Sequence, residues 1–81
     1  MSHYECWIIS GKRTPDHLHW HYTRQSPTFY IDAKTGDQAR DFVRQKYLDR
    51  YVRAGEELDY IRAKMVSTAY VLEKLGQKRL L

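Results

Sequence analysis

The chain has 81 residues, 42% of them hydrophobic and 30% charged, with a formal net charge of +4. This composition belongs to a folding, soluble chain and excludes a disordered one, and no apolar run approaches the roughly 20 residues that span a bilayer. A core of this size fits one small domain over residues 1–81. The excess positive charge is spread thinly. Residues 1–35 carry four basic and three acidic groups, 36–55 five and three, and 56–81 five and four. An anionic partner is thus permitted without being demanded, since a nucleic-acid domain usually gathers its charge.

The opening residues, MSHYECWIISGKR, show no basic leader ahead of an apolar core, and the single Cys6 cannot form an internal disulfide. Both features lead us to expect an intracellular, reducing, cytoplasmic setting and no membrane partner. Residues 4–10, YECWIIS, are aromatic and β-branched and predict a first strand. Gly and Pro in residues 11–16, GKRTPD, then mark a loop carrying Lys12 and Arg13.

From His17 to Ala33 the sequence alternates with period two, the mark of a strand with one buried face. Leu18, Trp20 and Tyr22 alternate with His17, His19 and His21, and Phe29, Ile31 and Ala33 with Thr28, Tyr30 and Asp32. The pattern predicts strands over 17–23 and 28–33, closed into a hairpin by residues 24–27 with Trp20 opposite Ile31. Tyr22 then faces Phe29, Leu18 faces Ala33, and His19 and His21 sit opposite Asp32 and Tyr30. The first strand has two possible faces; pairing Ile8 with Trp20 puts Tyr4, Cys6 and Ile8 in the core and leaves Trp7 and Ile9 beside the histidines.

Thr35-Gly36-Asp37-Gln38 fits a capping box, with Asp37 suited to the positive end of a helix dipole. A helix over 36–54 would present Ala39, Phe42, Val43 and Tyr47 to the sheet, with Gly55 as its stop. Residues 56–75 show apolar side chains at three- and four-residue steps (Leu58, Ile61, Met65, Leu72 and Leu75), which predicts a second helix. Residues 60–66 could instead be a fourth strand ahead of a shorter helix, with β-branched Val66, Thr68 and Val71 supporting that alternative, but the helix is the expectation. The tail QKRLL is expected to be loose. The expected fold class is therefore α+β: a three-stranded antiparallel sheet with two helices, the start of the second being the open point.

Three kinds of chemistry can be set on this frame. His17, His19 and His21 stand at His-x-His spacing, so two imidazoles could share a Zn²⁺, but no second clustered ligand pair appears in the sequence. A His19–Asp32 pair could orient an imidazole for acid–base work, yet only Ser26 and Cys6 offer themselves as nucleophiles and no catalytic motif accompanies them. No enzymatic activity and no cofactor are expected. The third is binding: Trp7, His19, His21 and Tyr30 on the polar face of the sheet, rimmed by Lys12, Arg13 and Arg24, offer stacking surfaces beside phosphate contacts. Lys46, Arg50 and Arg53 add a basic stripe along the first helix.

Three antiparallel strands followed by a helix that opens with Ala33-x-Thr35-x-x-Gln38-Ala39 resemble the small sheet-plus-helix DNA-binding domains of phage integrase arm-binding regions and plant ethylene-response factors. The resemblance covers residues 4–48. It implies a sheet that reads the major groove, although His17, His19 and His21 stand where those families carry more arginine. The leading expectation is a module that binds nucleic acid, DNA or RNA. The alternative is a small protein-binding regulator or inhibitor, such as an accessory protein of a phage or other mobile element, docking on a larger enzyme. A metal-binding sheet is the third.

Overall fold

The structure, a computed structural model, describes residues 1–79. In chain order it runs β1 (Ser2–Arg13), β2 (Trp20–Gln25), β3 (Phe29–Ala33), α1 (Gly36–Tyr51), β4 (Glu57–Val66) and α2 (Thr68–Arg79). This is the expected α+β class, an antiparallel sheet with two helices. The helix expected over 56–75 does not form over its first half: residues 57–66 are the strand held as the alternative, because their period-two alternation pairs along the free edge of β1, and the helix begins only at Thr68. Leu80 and Leu81, the end of the tail expected to be loose, lie outside the described residues, whereas residues 77–79 continue α2.

The hairpin expected between residues 17–23 and 28–33 does not form. β2 and β3 are instead successive pieces of one interrupted arm, both antiparallel to β1: β2 pairs with residues 9–13 of β1 and β3 with residues 2–6. Trp20 therefore stands opposite Arg13, and Ile31 opposite Tyr4. The reversal of the chain lies in residues 14–19, so β2 begins at Trp20 and His17 and His19 belong to the loop. The four residues read as a turn fail as one for a clear reason. Ser26 continues the ladder, its amide donating to Ile8 O at 2.9 Å and its hydroxyl accepting from Ile8 N at 2.8 Å. Ser26, Pro27 and Thr28 thus oppose only Ile8 and Trp7, a bulge that suits a proline with no amide to donate.

The other edge of β1 is paired along nearly its whole length by β4, from His3 opposite Val66 to Gly11 opposite Glu57, with a register shift between Ile9 and Ser10. Alternation along β1 is clean. Tyr4, Cys6, Ile8 and Ser10 are buried, and His3, Glu5, Trp7 and Ile9 point the other way. This is the favoured choice of face, reached through other partners, since Ile8 stands opposite Ile61 rather than Trp20.

α1 covers the buried face. Thr35 caps it by accepting from Gln38 N at 3.1 Å, while the Gln38 side chain accepts from Lys34 N rather than from Thr35. Ala39 and Val43 complete the core with Tyr4, Cys6, Ile8, Ala33 and Ile61, and Phe29 stacks on Tyr47 with centroids 4.2 Å apart. Phe42, expected on the same stripe, is 45% exposed. The helix ends at the Val52 cap, and Gly55, at φ +83°, turns the chain into β4.

Gly11 is fixed by a close approach: a Cβ there would lie 2.0 Å from the Tyr22 carbonyl oxygen and 2.9 Å from Thr23 Cα, both backbone. Gly11→Ala is expected to destabilise by about 1–3 kcal/mol or more through forced strand separation. Ile8→Ala should cost roughly 2–5 kcal/mol, and Trp20→Ala less, because Trp20 lies at the strand edge under Arg13 instead of in the core. Urea midpoints of the three variants check this order. A larger loss for Trp20→Ala would restore the hairpin register rejected above.

Candidate functional site

The sheet face opposite α1 follows from the register, because residues paired across antiparallel strands share a face. It carries His3, Glu5, Trp7 and Ile9 from β1, Asp32 and Tyr30 from β3, Gln25 from β2, and Tyr60, Arg62 and Lys64 from β4. Arg62 lies over Trp7, its guanidinium carbon 4.4 Å from the ring centroid. Tyr60, opposite Ile9, is half exposed.

α2 is fastened to one end of this face. Ser67 caps it by accepting from Tyr70 N at 3.1 Å. The Glu5 carboxylate accepts from Tyr70 at 2.6 Å and from Tyr30 at 3.3 Å. The bond to Glu5 pushes the Tyr70 hydroxyl up to about 12, and burial followed by the Glu5 charge raises that of Tyr30. His3 joins Asp32 through Nδ1 and the Thr68 hydroxyl through Nε2. Trp7, Ile9 and Tyr60 lie beyond this fastening.

At the far end of β1 a cavity of about 520 Å³ opens between the 14–19 loop, the start of β2 and the turn into β4. Lys12, Arg13, Thr14, Pro15, His17, His21, Gly55 and Glu57 line it. The loop is held by its own bonds: Thr14 N donates to His19 O and His17 N to Thr14 O, both at 2.9 Å. Asp16 accepts from the Thr14 hydroxyl and from Leu18 N, which lower its pKa in that order. His17 is thereby kept at φ +59°, a region that non-glycine residues occupy at a cost and that tends to mark functional sites. Arg13 is fixed between the Trp20 ring, 4.2 Å away, and Glu57, 3.2 Å from its Nε.

The residues expected to act together are distributed over separate places. Lys12, Arg13 and His21 meet at the cavity. Trp7 and Tyr30 are on the open face, Tyr30 already bonded to Glu5. His19 is exposed in the loop, so its proposed pairing with Asp32 is replaced by His3–Asp32. Arg24 is on the α1 side, opposite Ser10. It binds Glu56 through Nε and Nη2, at 2.7 Å in the closest contact, and donates to the Tyr51 carbonyl. Lys46, Arg50 and Arg53 are exposed along and just beyond α1, across the sheet from Trp7. Tyr60, Arg62 and Lys64 were missed because a helix over 56–75 scatters them around a cylinder. Their alternation with Ile61, Ala63 and Met65 was the period-two signal that could have found them.

The chemistry open to the other candidates is narrow. Cys6 is fully buried, and burial pushes its thiol up to about 11, away from nucleophile or ligand duty. The Ser26 hydroxyl is engaged with Ile8 N and Pro27 O. Among the described residues no three His, Cys, Asp or Glu side chains converge as metal ligands, and the three histidines expected on one strand are split between loop and strand. No helix among these residues is long and apolar enough to cross a membrane. Comparison of the chain with protein-family models, with curated proteins and with solved structures finds no match.

Arg24 and the Arg53 amide, in that order, hold the Glu56 carboxyl down at about 2 from an ordinary 4.5, and its side chain is only 4% exposed. A depressed carboxylate contributes stability that is present above its unfolded value and lost as the pH falls through the folded one. Glu56→Gln is therefore expected to lower the urea midpoint at neutral pH, with the gap to wild type narrowing towards about pH 3. A gap of constant size across that range would show that the charge of Glu56 does not hold this turn.

Proposed function

We propose that this protein is a non-enzymatic binding module that takes nucleic acid on the sheet face opposite α1. The observation that carries this reading is the row of Trp7, Ile9 and Tyr60 flanked by Arg62 and Lys64 on alternate positions of β4. Flat aromatic side chains on a sheet offer every base a surface to stack on, and neighbouring cations supply phosphate attraction. The carboxylates on this face are all engaged: Glu5 by two tyrosine hydroxyls, Asp32 by His3 and Glu57 by Arg13. Lys12 and Arg13 extend the positive surface into the loop at the end of β1. Single strands suit such a face better than a duplex, because their bases are free to stack.

A second reading, a small regulator docking on a larger protein, is favoured by the apolar side chains left exposed elsewhere: Phe42 on α1, Met65 on β4 and Leu72 on α2. The two readings part in a salt titration with oligonucleotides. Nucleic-acid affinity should fall with salt at a slope of about −0.7 per contacted phosphate of a single strand. Arg62→Ala with Lys64→Ala should flatten that slope by roughly one to one and a half. Trp7→Ala and Tyr60→Ala should each weaken binding by ~1–3 kcal/mol with the slope nearly unchanged. Aromatic variants that bind as well as wild type would exclude the sheet face, and absence of binding at low salt would give the lead to the protein-docking reading.

A further inference from the structure

The cavity at the end of β1 is distinct from the stacking row and has its own chemistry. Four residues whose side chains can donate to an anion line it: Lys12 and Arg13 from β1, His17 from the loop and His21 from β2. Among the described residues that line it, Glu57 is the one carboxylate, and Arg13 Nε already holds it at 3.2 Å. The Asp16 carboxylate is turned back onto Thr14 and Leu18 of its own loop. A neutral imidazole donates one N–H and a protonated one donates two, so both histidines can serve an anion in either state. The volume, about 520 Å³, lies within the range of sites for small organic ligands.

We propose that this cavity binds the phosphate monoester of a nucleotide, free or at the end of a strand. A backbone diester carries a single charge and must continue on both sides, which suits an open surface rather than a recess. A monoester carries about −1.5 to −2 at neutral pH and presents three acceptor oxygens, matching a recess lined by donor-bearing residues from different elements. The remaining lining, Pro15, Thr14 and Gly55, leaves room beside the cations for the attached nucleoside. The loop that delivers His17 is bonded into a left-handed turn before any ligand arrives, so little ordering is required on binding.

The test titrates the full-length chain with adenosine 5′-monophosphate and with adenosine, followed by chemical-shift perturbation or calorimetry. The monophosphate should bind and adenosine should bind at least tenfold more weakly, the scale of losing charge-assisted hydrogen bonds. Lys12→Ala with His21→Ala should abolish that difference. His17→Gly should reduce it while keeping the thermal midpoint, because glycine is at ease at positive φ. Two oligonucleotides differing only in a 5′-phosphate identify the source. Preference for the phosphorylated strand supports a strand end, and monophosphate binding without oligonucleotide binding supports a free nucleotide while removing the sheet-face reading. Equal affinity for monophosphate and adenosine, no binding of either, or a preference that survives the cavity variants would overturn the proposal. Where the monophosphate binds with that preference, oligonucleotide binding that ignores the terminal phosphate and is not displaced by the monophosphate supports a free nucleotide in the cavity and leaves the sheet face intact.

Discussion

Because β2, β3 and β4 each bond to β1, and among the described residues not to one another, the two sides of the protein are set by alternation within a few residues of one strand. Tyr4, Cys6, Ile8 and Ser10 give α1 a surface to cover; His3, Glu5, Trp7 and Ile9 supply the opposite surface. A slip of one residue in either neighbour would exchange the two sets. Ser26 protects against that slip by clamping the Ile8 peptide from both its amide and its hydroxyl, and Gly11 does so by admitting no wider contact with Tyr22.

Sequence reading recovered what local pattern determines and lost what partner choice determines. The Thr35 cap and the core positions Ala39 and Val43 follow from period and capping chemistry alone, and the structure has all of them. For β1 the period left two candidate faces, and the buried one, with Tyr4, Cys6 and Ile8, was reached through a pairing with Trp20 that does not form. The hairpin failed because alternation on either side of residues 24–27 is equally compatible with one strand broken by a bulge. Only the bond between Ser26 and Ile8, distant in sequence, separates the cases. Residues 57–66 were ambiguous because Leu58, Ile61 and Met65 satisfy helical spacing while Ile61, Ala63 and Met65 satisfy strand spacing. The long free edge of β1 decides between them. Among the candidate residues, Arg24 shows the limit most plainly. Its charge was legible, but its commitment to Glu56 and the Tyr51 carbonyl depends on where α1 ends.

The positive charge that looked evenly spread along the chain is partitioned by the fold. Arg24 is spent inside the structure, while Arg13 is braced by Trp20 and Glu57 at the cavity. Lys46, Arg50 and Arg53 remain exposed on the α1 side. A net charge of +4 therefore underdescribes the surface, since a braced arginine and a solvated lysine act on a partner differently.

A sheet with a single interior strand leaves a long exposed border for its size, and such borders invite stray strands to add on. Here each border is spoiled from within. Along β2 and β3 the donor row is broken where Pro27 has no amide to give. Along β4 the extra residue Asp59 interrupts the rhythm, and Arg62 and Lys64 bring charge to it. An incoming chain would meet neither an unbroken run of donors nor a neutral surface. The irregularities that hid the topology from a sequence reader thus also make the molecule a poor template for its own aggregation.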